Sequence, residues 1–441
     1  MDKLDDIGLF WLSDEPDHKV HGALTFDPET GGRLRLDGLL GANGQPEDYV
    51  RILGQSQEQG YTLNRCLETN RRQNPFSNTA GVSTWNIGEA YTNVHFASDD
   101  EIEFDTMYVQ LEDMASWLGR SGISGAPLQP SEGTWIANIS GKRLSDEEIS
   151  TDFGEIALIH GIGQKGNLPR EYTLSQTYGV RIRTDGLTPK SDLLEIVSDV
   201  QDFVSMGIDR LSAFTKVQFE HPDIVHPSRE ATSERERLLM GDRPPRRIEI
   251  DHYATWRIKA GEYEKRLPKI AFNYEDIGGP DGLKSWLSLA SQHRRTLARI
   301  MSVKERSGMY SEDRLLNAVA AAEGLHRELT GIPDNPRKMP LKARLIQLAQ
   351  LAGPRFETAV FDVEKWSEFL KEERHEHAHN RSQQPSSNID HYWHMANSAY
   401  WLILLCFLSQ IPTAGPAIER ATYCQGFIWM TNEVSGIVQR L

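Results

Sequence analysis

Cysteine is nearly absent from the chain: Cys66, Cys406 and Cys424 are the only three in 441 residues, far apart and without a Cys-x-x-Cys pair. This excludes a disulfide framework and a zinc ribbon, and it suits a reducing compartment. Long apolar runs are lacking as well. The longest, Ala399 to Leu408 (AYWLILLCFL), falls short of the roughly 20 residues that span a bilayer and predicts a buried helix instead. The acidic start, MDKLDDIGLFWLSDEPD, has no apolar stretch, so no secretory leader is expected. There is no internal repeat and no extended low-complexity segment. The expectation is a cytoplasmic protein without a membrane segment.

What is present can build a large core. A hydrophobic fraction of 39% with 10 tryptophans excludes wholesale disorder, and the length suggests two or three domains. The formal charge of −15 is unevenly spread. Residues 1–150 carry 25 acids and 11 bases, whereas the remainder is close to balanced and residues 282–351 are locally basic. Overall charge therefore argues against a nonspecific nucleic-acid coat, while the local field leaves room for a specific one.

Up to about residue 275 the pattern is one of short alternating runs broken by Gly, Asp and Asn. Examples are Lys19–Phe26, Arg33–Leu39, Tyr61–Glu68, Tyr91–Phe96, Glu103–Leu111, Trp135–Ile139, Glu155–His160 and Tyr172–Arg183, which predict antiparallel strands. One amphipathic helix is expected near 191–206. Two further strands are expected at Arg247–Tyr253 and Lys269–Asn273. From Gly282 onward the spacing turns helical, with helices at about 282–303, 311–330, 340–352, 355–380, 390–410 and 415–438. The fold class read from this is multidomain α+β: a β-rich, acidic region at 1–275, followed by an all-α helical bundle at 281–441. Trp11, Trp85, Trp117 and Trp135 are assigned to the β core, and Tyr400, Trp401 and Phe407, with Trp393, to the helical core.

Gly161-Ile162-Gly163-Gln164-Lys165-Gly166 matches a dinucleotide-binding G-x-G-x-x-G. That mechanism needs a helix to start after the glycines, and Asn167-Leu168-Pro169 and a further strand follow, so a hairpin is expected.

The densest chemical feature is Lys371–Arg381 (KEERHEHAHNR), and five of the 14 histidines lie between His375 and His394. Two incompatible chemistries can be read there. His375, Glu376 and His379 spell H-E-x-x-H, a zinc site with Glu376 as general base, but it needs a third ligand, for which Glu419 is the candidate. Arg374 and His379 instead fit R-x4-H, the pattern of metal-free RNA cleavage. Five residues set them about 140° apart on an ideal helix, so they flank a groove. His379 would move a proton at the ribose 2′-OH or the leaving 5′ oxygen, and the forked Arg374 would hold the phosphate. The spacing alone is weak evidence, since Arg247–His252 has it as well.

With polar His375 directly after Arg374, the motif late in a long helix, and Ser285–Lys304 and Asn317–Thr330 as opening helices, the C-terminal 160 residues resemble a HEPN domain. The β-rich region ahead of it makes the whole chain resemble the ApeA type of abortive-infection anti-phage protein. The resemblance implies a metal-independent endoribonuclease with Arg374 and His379 as catalytic pair and no cofactor. It implies RNA as substrate, tRNA foremost, and a phage-derived trigger protein sensed by the N-terminal region. A homodimer or higher homo-oligomer would bring two motifs across one cleft. His375, His377, Asn380 and Arg381 are supporting candidates. Arg294, Arg295 and Arg299, with Lys304 and Arg306, are candidate phosphate contacts. His391 and His394 begin the next helix. A bundle that is inactive and only mediates assembly remains the alternative, with an H-E-x-x-H zinc hydrolase behind it.

Overall fold

The computed structural model describes residues 3–41, 49–72, 81–98, 100–125, 129–131, 134–136, 138–167, 171–226, 245–256, 269–305, 308–331, 339–378 and 389–441. Its N-terminal part is β-rich and its C-terminal part helical, as the α+β reading expects.

Six strands come first: β1 (Leu4–Leu12), β2 (Val20–Asp27), β3 (Gly31–Leu36), β4 (Val50–Gln55), β5 (Gly60–Arg72) and β6 (Val82–Thr92). Antiparallel pairing runs β1–β2–β3–β6–β5–β4 and returns to β1 through Leu9↔Gln55 to Leu12↔Ile52, closing a barrel. Alternation selects the inner face. In β2, Val20, Leu24 and Phe26 are buried while His21 and Thr25 are exposed. Phe10, Leu34, Leu36, Tyr61, Leu63 and Trp85 complete the interior. Where β4 meets β1, a Cβ on Gly54 would lie 2.5 Å from the Phe10 ring, so only glycine permits the closure.

The next part comprises β7 (Glu103–Leu111), α1 (Met114–Leu118), β8 (Ile123–Gly125), β9 (Gln129–Ser131), β10 (Thr134–Ile136), β11 (Ile139–Gly141), β12 (Glu147–Thr151), β13 (Gly154–Asn167), β14 (Glu171–Pro189), α2 (Lys190–Gly207), β15 (Phe214–Glu220) and β16 (Ile250–Ala254). An antiparallel sheet runs β12–β13–β14–β7–β15–β16, and β16 also pairs with β6 at His252↔Tyr91, which joins sheet to barrel. The glycines Gly161 to Gly166 lie inside β13, in register with β14 from Gly154↔Thr184 to Asn167↔Glu171. They belong to the ascending arm of a long hairpin. A strand follows them, so there is no helix start to face a pyrophosphate.

Two sequence expectations are corrected here. Residues 269–273 form no strand: the N–H groups of Ala271 and Phe272 both donate to Gly207 O, at 2.7 and 3.2 Å, capping the end of α2. The strand expected at Tyr91–Phe96 ends at Thr92, because Asn93 takes a positive φ of 65° and turns the chain.

Eight further helices occur among the described residues: α3 (Pro280–Glu305), α4 (Ser311–Thr330), α5 (Leu341–Ala352), α6 (Pro354–Ala359), α7 (Val363–Ala378), α8 (Ile389–Ser409), α9 (Gly415–Tyr423) and α10 (Gln425–Arg440). The single helix expected at 355–380 breaks where Phe361 adopts φ 68°, and α7 restarts with Asp362 Oδ1 accepting from Lys365 N at 3.1 Å. The helix expected at 415–438 breaks at Cys424, whose backbone is extended. Apolar on every side, α8 is the central helix, buried continuously from Ala399 to Leu408.

One apolar cluster extends from Tyr91 through the sheet and α2 to Val438, so sheet and bundle share a core. Barrel residues from Leu4 to Ala90 form another. Trp11, Trp85, Trp117, Tyr400, Trp401 and Phe407 are all buried, and Trp393 is half-buried against Trp429 at 5.0 Å. The Trp135 side chain lies outside the described residues.

Candidate functional site

The motif lies at the end of α7, which Asp362 caps and which Trp366 and Leu370 fix to the core. Arg374 is placed one helical turn past Leu370 and is therefore half-buried, with its guanidinium reaching across to α4. There its Nη2 donates to Glu323 Oε2 at 2.8 Å, and the Glu323 side chain is only 13% exposed. A carboxylate that well covered needs a cationic partner, and Arg374 supplies it. One residue earlier, Glu373 Oε2 accepts from the Tyr392 hydroxyl at 2.9 Å, which ties α7 to the start of α8. His375 and Glu376 are exposed.

His379, Asn380 and Arg381 lie outside the described residues, as does the His377 side chain, although α7 extends through residue 378. Among the described residues, no group of three or more His, Cys, Asp or Glu is arranged to hold a metal ion. His394 is half-buried, tilted against Trp429 at 5.2 Å and 3.8 Å from Glu433. Burial pushes its imidazole pKa down, against the upward pull of the Glu433 and Asp390 carboxylates. His391 is half-buried at the first turn of α8.

The candidate phosphate contacts divide. Arg294 points back to the N-terminal region, where it pairs with Glu195 and, at 3.0 Å, with Asp199, both on α2. Lys304 pairs with Asp209 and lies 4.1 Å over the Tyr400 ring. Arg306 lies outside the described residues. Arg295 and Arg299, by contrast, are exposed one turn apart on α3 and line a cleft of about 210 Å³ against Ala320, Gly324 and Arg327 of α4. Glu323 lies one turn before Arg327, so α4 presents the partner of Arg374 and a wall of this cleft side by side on one face.

Residues 7–286 match the family model described as ApeA N-terminal domain 1, which is more than half of the chain. The chain belongs to the ApeA family. This places it in an antiviral-defence context, in agreement with the resemblance read from the sequence. The ApeA match covers the barrel, the sheet and α2 and ends within the first turns of α3, so the ApeA model does not extend to α7 and its Arg374. No curated protein and no solved structure matches the chain. No helix among the described residues is long and apolar enough to cross a membrane.

Sequence reasoning did not find Glu323 or Arg327. The signal available was Glu323–Glu328 (EGLHRE), a polar run inside an alanine-rich helix. His326 of the same run is wholly buried and meets Gln347 Oε1 at 2.7 Å, so it serves packing between α4 and α5.

Proposed function

We propose that this ApeA-family chain is an anti-phage ribonuclease whose helical bundle is of HEPN type. Arg374 and His379 are its catalytic pair, and its N-terminal region senses a phage-derived protein and restrains cleavage. The observation that carries the reading is the ApeA match at 7–286, joined in one chain to a bundle with Arg374-His375 near the end of α7.

In this reaction the ribose 2′ oxygen forms a bond to phosphorus while the bond to the 5′ oxygen breaks. The 2′-OH proton is taken up by a base, and the leaving oxygen receives one from an acid, giving a 2′,3′-cyclic phosphate and a 5′-OH without water or metal. One imidazole performs one of these transfers at a time, so a homodimer with two His379 side chains across a cleft supplies both. Arg374 offers forked donors to the charge that develops on the phosphoryl oxygens. RNA, tRNA foremost, is the substrate on this reading, and the protein acts in the cytoplasm.

The test is to sequence 5′-OH and cyclic-phosphate RNA ends from cells that express wild type or His379→Ala, with and without phage challenge. New ends at a few sites, only in challenged wild-type cells, are expected, because loss of an acid–base group costs about 10²–10⁴ in rate. Identical ends in the two strains, in a host that wild type still protects, would sink the ribonuclease. One observation favours a second reading, an inactive bundle that only mediates assembly: the ion pair between Arg374 and Glu323 also serves to hold α7 on α4. That reading expects His379→Ala to retain protection. A zinc hydrolase expects protection to require Glu376 and to be lost with a chelator.

A further inference from the structure

The cleft between α3 and α4 has a composition that its role in packing does not explain. Its floor is made of small residues, Ala320, Ala321 and Gly324, and of Thr296, with three guanidinium groups on its walls. A Cβ on Gly324 would come within 2.9 Å of Thr296 Oγ1, so glycine brings α4 close to α3 there and leaves the arginines standing above the floor. Arg295 and Arg299 are exposed and have no ion-pair partner among the described residues, unlike Arg294 on the same helix. The one lining carboxylate, Glu328, is engaged with His293 Nδ1 at 2.9 Å. At about 210 Å³ the cleft is smaller than the roughly 300–1,000 Å³ usual for small-molecule sites.

From this we infer a binding site for the RNA backbone: Arg295, Arg299 and Arg327 grip phosphodiester groups of the substrate beside the Arg374 motif. Arg295 and Arg299 are about 6 Å apart along the helix, so two guanidinium forks address the same or neighbouring phosphates. Arg327 shares a face of α4 with Glu323, the residue that holds Arg374, which puts the cleft and the motif on adjoining surfaces. Thr296 hydroxyl and the guanidinium groups read charge and shape, so the contact positions RNA without selecting bases. This inference rests on the ribonuclease reading for its substrate, but its test does not depend on cleavage.

The experiment measures binding of the full chain to a 2′-O-methyl single-stranded RNA oligonucleotide, which lacks the attacking hydroxyl, across a salt series. Arg295→Gln and Arg299→Gln are each expected to weaken binding and to make the slope of log affinity on log salt shallower by about 0.7. Arg294→Gln should keep that slope, because its guanidinium is committed to Glu195 and Asp199. Arg295→Lys and Arg299→Lys should keep the slope but lose part of the affinity, since charge remains and the fork is gone. Thermal midpoints of the exposed-site variants guard against unfolding. If wild type binds and both glutamine variants retain its affinity and slope, the cleft is not the RNA site, while the ribonuclease stands. If the variants lose binding but His379→Ala changes no RNA ends, the cleft stands as an RNA site and the nuclease assignment fails. If wild type binds no RNA at any salt concentration, the inference is overturned.

Discussion

The two seams of the molecule are built from different materials. Between barrel and sheet the contact centres on buried charge. Glu89 of β6 pairs with Lys190 at the start of α2, lies 3.5 Å from His252 Nε2 of β16 and accepts from the Tyr91 hydroxyl at 2.9 Å. Between sheet and bundle the contact is mainly apolar. Trp286 of α3 stacks on Phe203 of α2 with ring centroids 4.3 Å apart, and its indole N–H donates to Asp199 O at 2.7 Å. Ion pairs to Arg294 and Lys304 flank that stack. A charged seam depends on pH and on each partner staying in place, whereas an interlocked aromatic seam makes two layers one body. α3 carries Trp286 at the sheet and, past a break in its helical geometry at His293, Arg294 on Asp199 of α2 and the neighbouring Arg295 and Arg299 at the cleft. The segment of α3 that lines the proposed RNA site is thus tied to α2 by the ion pairs of Arg294.

The largest expected effect comes from removing the aromatic stack. Trp286→Ala should cost about 3–5 kcal/mol and lower the urea midpoint. Sheet and bundle should still unfold together, since they share one core. Two separate transitions for them would break the comparison.

Acid should act on the other seam. Burial pushes the His252 pKa down, against the pull of Glu89. At Glu89 burial opposes ionisation, yet the contact with His252 and the charge of Lys190 outweigh it and hold the carboxyl well below the usual range. Both groups bind protons more readily in the unfolded chain, so stability falls with falling pH. The first loss begins below about 6.5, where an unfolded histidine protonates, and a second below about 4.3, where an unfolded glutamate does. Urea midpoints for wild type and His252→Gln between pH 7.5 and 5 check this: the substitution should flatten the first window. An equal slope in both proteins would show that this seam is not the acid-sensitive one.

The smallest effect should be local. Asp362→Ala removes the cap of α7 and should cost about 1 kcal/mol, seen as a lower urea midpoint at unchanged slope. A drop as large as that of Trp286→Ala would mean that α7 depends on its cap rather than on its packing.

Legibility followed the same physics. Strands with clean alternation, such as β2, β3 and β7, and helices with regular apolar spacing, such as α2 and α4, stand in the structure close to where the residues alone predicted them. Strands without alternation escaped. β4 buries Ile52, Leu53 and Gly54 in succession, and β15 buries Val217, Gln218 and Phe219, because each is covered on both faces. The helix breaks at Phe361 and Cys424 leave little mark in apolar spacing. Of the proposed site, the local motif let the sequence single out Arg374 near the end of a helix, where the structure pairs it with Glu323, while His379, Asn380 and Arg381 lie outside the described residues.

The sequence by itself determined the α+β order, the strand and helix periodicities, the burial of most of the tryptophans and the Arg374-His375 segment late in a helix. Only the tertiary structure decided that β4 closes the barrel on β1, that sheet and bundle share one core, that Glu323 holds Arg374, and that Arg294 serves the seam while Arg295 and Arg299 face a cleft. Periodicity reports how one element divides itself between core and solvent. Which distant element supplies the partner depends on packing between residues 51 positions apart, as for Glu323 and Arg374, or 95 apart, as for Asp199 and Arg294, and no local pattern encodes that.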